Sequence, residues 1–400
     1  MKKNYTDLEY SCFYKLLERL EKFNRIYIYG AGSIGNCVFN YLVDNKLIDK
    51  LDSFLVTTES INNHKNNRFI FGKRVQLISK VELDSDDVVL LAAVKQNREE
   101  MLSICQKYNI KNVIEIDYFD WERNFQISES EYPTELKCWY KLKVSKNLNL
   151  DDPKTFNEKI QWLKIYDRNP LKTQLADKYL VRSYIEEKVG KRYLVPLLSV
   201  WDKAEDIDFD NLPNQFVLKC NHGSGSNIIV RDKSRLDIDK TKFKLNLWLK
   251  KNFAFTNGFE LQYKDIKPKV IAEEYLENVE GDLWDYKFWC FDGKVKFLQV
   301  DRSRLSNHVQ RFYSPDWKPL SFTIQNHIID EVILDKPASL EEMINVSENL
   351  SKIFCFVRVD LYCLNNKIYF GEMTFSPLSG FITWNPEYMD NEVGALLKMN

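Results

Sequence analysis

A strand that passes through a glycine-rich turn directly into a helix constrains this chain more than any other feature. Residues 26–29 form an apolar β run. Gly30-Ala31-Gly32-Ser33-Ile34-Gly35 follows, and then a helical pattern through Tyr41. Further strands at 53–57, 88–94 and 112–116, with a helix over 98–108, continue the alternation. Strands alternating with helices imply a parallel, doubly wound sheet. An amphipathic helix over 6–24 precedes it. A Gly-x-Gly-x-x-Gly turn in this position matches the dinucleotide fingerprint, which also needs an acid after the second strand. That strand ends in Thr57-Thr58-Glu59, so Glu59 is the one candidate. The same glycines equally serve a tight turn with close backbone approach.

The pattern changes at the polar stretch 124–132 (NFQISESEY). Residues 134–190 read as mostly helical, with a helix start marked by Asp151-Asp152-Pro153 and an end at Gly190. From Phe216 onward strands dominate, separated by turns such as Asp292-Gly293 and Asn365-Asn366. The expected fold class is α/β. A Rossmann-like parallel-sheet domain (1–123) and a linker (124–133) precede an α+β domain (134–400).

Composition excludes several classes of partner. Lys plus Arg number 57 against 58 Asp plus Glu, so the chain lacks the basic footprint of a nucleic-acid binder. The eight cysteines are scattered singly beside four histidines, which argues against a zinc cluster and a disulfide framework. The longest apolar run, 88–94, falls far short of the ~20 residues that span a bilayer. MKKNYTDLEY has no apolar signal segment. The expectation is a reduced, cytoplasmic protein, with any membrane association peripheral to the inner face.

Three segments carry chemistry. In 216–230, two β runs flank Asn221-His222-Gly223-Ser224-Gly225-Ser226-Asn227. A P-loop leads into a helix; glycines joining two strands instead form either a flap over a polyphosphate, with Lys219 adding a point charge, or an ordinary hairpin with a surface lysine. In the second segment, strands 356–362 and 368–375 surround Asn365-Asn366. Period-two alternation puts Arg358 and Asp360 on one face of the first strand, and Glu372 and Thr374 on one face of the second. A three-residue loop sets Asp360 across from Glu372, whereas a two-residue loop puts them on opposite faces. In the first register, two carboxylates and a hydroxyl offer hard oxygens suited to Mg²⁺ beside an arginine that steadies negative charge. The alternative is a solvated face with a salt bridge. Ser376-Pro377-Leu378-Ser379-Gly380 then forms a small-residue loop open to ligand approach. The third segment, 270–276, is an apolar strand ending in Glu273-Glu274-Tyr275-Leu276, followed by Asp285. A strand end can meet the edge of adenine, and a nearby acid can accept from ribose hydroxyls.

In order, these segments resemble the ATP-grasp superfamily, specifically its teichuronopeptide-biosynthesis (TupA-like) branch, over about residues 134–385. The resemblance begins with Pro153-Lys154-Thr155-Phe156-Asn157-Glu158-Lys159 and Leu175-Ala176-Asp177-Lys178-Tyr179. It implies that Lys178 and Lys219 contact the phosphates of ATP, with His222 to Asn227 as the flap. It further implies that Glu273 and the backbone of Glu274, Tyr275 and Leu276 hold adenine, and that Asp285, or less well Asp282, holds the ribose. Asp360 and Glu372 would bind Mg²⁺, with Thr374 where many members have Asn, and Arg358 would steady the transferred phosphoryl group. The implied chemistry is carboxylate activation through an acyl phosphate, followed by amine attack. The branch implies a uronic acid acceptor in a surface polysaccharide or its precursor, joined to an amino acid or small amine. Arg302 and Arg304 read as contacts to an anionic substrate or as exposed strand arginines; Trp289, Trp317 and Trp384 read as sugar-stacking or core rings. Alternative functions are a sugar phosphotransferase on the same fold, and an oxidoreductase or nucleotide-sugar-binding protein run by the N-terminal domain.

Overall fold

The computed structural model describes residues 16–57, 69–93, 95–116, 121–276, 284–302, 309–325, 328–329 and 332–399. Glu59, Asp282, Arg304 and the first part of the 6–24 helix lie outside them. The chain forms two compact units, Met1–Leu148 and Asn149–Asn400.

The first unit opens with α1 (Leu16–Glu21), β1 (Arg25–Tyr29), α2 (Ser33–Asp44), β2 (Leu51–Val56), β3 (Phe69–Ile70) and β4 (Lys73–Leu77). It continues with β5 (Asp87–Leu91), α3 (Lys95–Lys107), β6 (Val113–Glu115), α4 (Trp121–Gln126) and α5 (Tyr132–Val144). Its sheet has the order β3-β4-β2-β1-β5-β6 and is parallel except at the β3–β4 hairpin. β1 and β5 are buried along nearly their whole length, as a parallel sheet covered on both faces requires. β4 escapes the sequence reading because Lys-Arg-Val-Gln-Leu offers only two apolar residues. Gly30 has φ +117°, and a Cβ there would lie 2.4 Å from the Ala92 carbonyl oxygen. A Cβ on Gly35 would lie 2.0 Å from the carbonyl oxygen of Gly30. Gly32 meets nothing within 4 Å.

The stretch 124–133, expected as a linker, is instead structured. Ser128 and Glu131 make a reciprocal capping box, and α5 follows at once, burying Leu136, Trp139 and Tyr140 and packing against α2. Ser-x-x-Glu is a helix-start signal, and the polar composition conceals it. Residues 134–148 therefore belong to the first unit.

The second unit starts with α6 (Phe156–Tyr166), capped by Thr155 and Glu158, then α7 (Pro170–Ala176) and α8 (Val181–Lys188), which stops before Gly190 at φ +108°. Next come β7 (Leu197–Trp201), β8 (Phe216–Cys220), β9 (Asn227–Val230), α9 (Ile238–Leu249) and β10 (Val270–Glu274). These strands form an antiparallel sheet, β7-β10-β8-β9. On one of its faces Phe216, Leu218, Cys220, Val270 and Ala272 pack with Leu245 of α9.

The larger sheet contains β11 (Asp285–Phe291), β12 (Lys294–Arg302) and β13 (Val309–Tyr313). After β14 (Thr323–Ile324), β15 (Ile328–Ile329) and α10 (Leu340–Ser351) come β16 (Phe356–Leu364) and β17 (Lys367–Thr374), then β18 (Trp384–Asn385) and α11 (Met389–Leu396). The sheet order is β15-β13-β12-β11-β16-β17. Leu340, Met343, Val346 and Leu350 of α10 cover one face, against Phe288, Leu298, Val357 and Val359. The other face ends in an aromatic cluster of Phe156, Trp289, Phe297, Phe356 and Trp384. Trp289 and Trp384 are thus core rings, as is Trp317 against the α10 face. Truncating Phe156 or Trp289 to Ala would cost about 3–5 kcal/mol. No helix among the described residues is long and apolar enough to cross a membrane.

Candidate active site

The hairpin β16–β17 resolves the register question in an unforeseen way. Its turn has two residues, Asn365 and Asn366, both with positive φ (50° and 60°). Such a turn alone would put Asp360 and Glu372 on opposite faces. However, Leu361 pairs with Phe370 and Asp360 pairs with Glu372, leaving Gly371 as the extra residue of a bulge. A Cβ on Gly371 would stand 3.0 Å from the Asp360 carbonyl oxygen, so the bulge favours glycine. The result is one polar face. Arg358 donates from Nε and Nη2 to the two Asp360 carboxylate oxygens at 2.7 Å each, and from Nη2 to Thr374 Oγ1 at 3.2 Å. Thr374 donates in turn to Glu372 Oε1 at 3.2 Å.

β11 extends this face. Lys287 stands opposite Asp360 on one side and Gln299 on the other, and Asp285 stands opposite Asp301. The Lys287 ammonium lies 2.6 Å from Asp301 and 3.0 Å from Asp285, with all three side chains buried. Burial alone would lower the Lys287 pKa, but Asp285, Asp301 and Asp360 outweigh it and raise it. Burial pushes Asp360 up to about 6, against the pull of Arg358 and Lys287. Glu372 is held at about 2: burial opposes ionisation, but Lys178, Arg358 and Lys287 prevail. Two adjacent carboxylates therefore differ in how readily they hold a proton.

The smaller sheet turns Val217, Lys219, Asn227, Ile229, Ile271 and Glu273 to the face opposite α9. Glu273 accepts from Lys219 Nζ at 2.6 Å and from Arg182 Nη1 at 2.9 Å. Lys178 Nζ donates to the Gly223 carbonyl at 2.7 Å and lies 3.4 Å from Glu372 Oε2. Lys178, Arg182, Lys219, Glu273, Phe370 and Gly371 line one pocket. Residues from α7–α8, the smaller sheet and the β16–β17 hairpin thus share one cavity.

The Gly-rich loop has a fixed root and an exposed tip. Asn221 is fully buried; its side chain donates to Asp177 Oδ2 at 2.9 Å and the Lys267 carbonyl at 3.0 Å, and accepts from the Lys269 N–H. His222, expected in the flap, is buried with Nε2 3.2 Å from the Trp248 carbonyl, and burial lowers its pKa. It anchors the loop, because an apolar surround favours a neutral ring held by α9. Gly223 is buried against Phe253, whose ring would lie 2.6 Å from a Cβ. The exposed tip is Ser224-Gly225, with Gly225 at φ +75°. At the end of β10, the Glu274 N–H is taken by the Pro196 carbonyl, and the Tyr275 hydroxyl accepts from Arg231.

Arg302 does not join this face. It shares the parity of Val300, whose side chain lies in the α10-side core, while Asp301 points to the Asp360 face. Its guanidinium sits 5.3 Å from the ring centre of Trp284. Alternation along β12 therefore corrects the expectation of a substrate contact. Lys287, Arg182 and Asn221 were not singled out from sequence. The alternation Asp285-Tyr286-Lys287 could have flagged the first, and the helical spacing from Lys178 the second.

The loop after β17 is strained and held. Leu378 and Ser379 both take left-handed φ (49° and 55°). Lys164 of α6 donates to the Ser379 carbonyl at 2.8 Å, Gln161 to the Gly380 carbonyl at 2.6 Å, and Ser379 Oγ to the Asn257 carbonyl.

Among the described residues no group of three His, Cys, Asp or Glu could hold a metal by itself. Asp360 and Glu372 fit Mg²⁺ in the way that ion is commonly bound, by one or two carboxylates completed by substrate phosphates. Burial pushes the Cys220 and Cys290 thiols up to about 12, which makes both poor nucleophiles.

A family model described as TupA-like ATPgrasp matches residues 158–398. No curated protein matches the chain. Among solved structures, D-alanine–D-alanine ligase from Bacillus anthracis is 15% identical, with 93% of this chain and 92% of that chain covered and a TM-score of 0.33. Phosphoribosylamine–glycine ligase from Thermotoga maritima is 11% identical, with 88% and 68% covered and a TM-score of 0.29.

Proposed function

Because this chain belongs to the TupA-like ATP-grasp family and is an ATP-grasp ligase, we propose that it joins a uronic acid carboxylate of a surface polysaccharide, or of its precursor, to an amino acid or small amine. The family supports the saccharide acceptor; the residues support the phosphate half of the reaction. The observation that carries the reading is Lys178, whose ammonium reaches both the Gly223 carbonyl and the Glu372 carboxylate. A polyphosphate laid beneath the loop meets lysine and carboxylates together.

Lys178 and Lys219 neutralise the phosphates, and the backbone N–H groups of Ser224 to Asn227 cap them. Val217, Ile229 and Ile271 offer an apolar floor for adenine beside the segment Glu273 to Leu276, and Asp285 accepts from the ribose. Asp360 and Glu372 would hold Mg²⁺, which when bound would supply charge neutralisation to the phosphates. Thr374 orients Glu372 through its hydroxyl. An acceptor carboxylate oxygen attacks the γ-phosphorus and the bond to ADP breaks. The amine nitrogen then attacks the acyl carbon, the carbon–oxygen bond to phosphate breaks, and the nitrogen loses a proton. Arg358 steadies the negative charge in both steps, and the protein's contribution is position and electrostatics.

ADP release should require both a uronate and an amine. Mass analysis should show a product that gains the amine and loses water. A product that gains phosphate alone, formed without amine, makes the protein a sugar phosphotransferase. Turnover of a nucleotide sugar without ATP assigns the activity to the first unit.

A further inference from the structure

We infer that α9 is a docking face for an anionic lipid surface. The helix buries Thr241 and Leu245, with Trp248 and Leu249 packed beside them. Its opposite side exposes Phe243 at 66%, the most exposed large apolar side chain among the described residues, and Leu247 one turn later at 48%. A helix exposed to water on that side has no folding reason to place a phenylalanine and a leucine there.

Charge identifies the occupant. Lys240, Lys244, Lys250 and Lys251 are exposed and flank the apolar pair, with Asp239 the one acid of the helix. Lys242 turns inward, its ammonium 5.9 Å from the Phe209 ring centre, and Glu205 is engaged by Asn246. A chain with net charge −1 thus concentrates four lysines around two exposed apolar residues. A helix with apolar residues centred in a basic face lies in the plane of a membrane interface, its apolar side chains below the headgroups and its ammonium groups among the phosphates. Each lysine near an anionic surface raises partitioning roughly fivefold, an effect that salt screens. Four lysines and two apolar side chains give weak, reversible binding.

α9 also holds the root of the Gly-rich loop, through the Trp248 carbonyl and His222. The docked face therefore belongs to the same subdomain as the loop, and lies on the far side of the smaller sheet from Lys219 and Glu273.

The test is co-sedimentation of the full chain with vesicles of phosphatidylcholine alone or with an equal share of phosphatidylglycerol. Binding is expected to the anionic vesicles only, and to weaken at least about tenfold between 50 mM and 500 mM salt. Phe243→Glu with Leu247→Glu should abolish it without lowering the melting temperature, since both side chains are exposed. Lys240→Glu with Lys244→Glu should weaken binding at low salt and flatten its salt dependence. Absence of binding to anionic vesicles overturns the proposal, as does unchanged binding by both double variants. Sedimentation velocity supplies a third arm: a dimer that the Phe243/Leu247 variant converts to monomer makes the face a contact between copies and also overturns it.

Discussion

The chain has two glycine-rich turns that look alike on paper, and their surroundings separate them. At Gly30 to Gly35, the first and last glycines are explained by packing, since any Cβ would strike the Ala92 or Gly30 carbonyl. In the loop Asn221 to Asn227, packing against Phe253 explains Gly223, but the tip at Gly225 meets nothing within 4 Å. The ammonium of Lys178 reaches this loop, and Lys219 is the penultimate residue of the strand that leads into it. The lesson is that glycine spacing reports close approach of backbone, and the partner decides what approaches. A carbonyl already in contact accounts for Gly30 and Gly35, whereas Gly225 is accounted for by its left-handed φ of +75° and leaves the loop tip open to approach.

The largest expected difference between the two lies in chemistry. Lys219→Ala should lower ADP formation by on the order of 10²–10³-fold, because the charge proposed to meet the phosphates is lost, while Arg182 keeps Glu273 paired and limits the loss of stability. Retention of full activity would place the phosphates elsewhere. Next in size, Lys287→Met should destabilise the protein by about 3–5 kcal/mol in denaturant titrations, since Asp285 and Asp301 are left buried without their shared cation. Gly223→Val and Gly35→Val should each cost about 1–3 kcal/mol from overpacking, but only the first should raise the KM for ATP. Equal effects on that KM would erase the distinction between the turns. The smallest change is expected at Gly32→Leu, where stability should move by less than about 0.5 kcal/mol and the KM for ATP should stay unchanged. A raised KM for the acceptor alone would make the first turn a second binding site.

Local patterns carried much of the fold into view, and long-range pairing hid the rest. Four strands of the first sheet, β1, β2, β5 and β6, were legible because apolar runs alternate with helical patterns, whereas β3 and β4 were not. The hairpin carrying Arg358, Asp360, Glu372 and Thr374 was legible from alternation, but its register was not. The bulge at Gly371 depends on the Asp360 backbone opposite, which no local window contains. Lys287 looked like one more strand lysine because Asp301 reaches it from another strand. Asn221 took its meaning from Asp177, Lys267 and Lys269, all distant in sequence. α9 and α10 went unread because each lies among strands. The expectation for His222 failed because a histidine beside glycines looks like part of the loop until its burial is known.

The two left-handed residues that follow β17 have a consequence for how this enzyme can change. Leu378 and Ser379 each occupy a backbone region that costs side-chain-bearing residues about 1–3 kcal/mol, and donors from Lys164 and Gln161 in α6 hold Ser379 and the adjoining Gly380. The geometry of that segment is thus encoded some two hundred residues upstream. Drift or laboratory selection that reshapes it should accumulate first on a helix that carries none of the proposed chemistry.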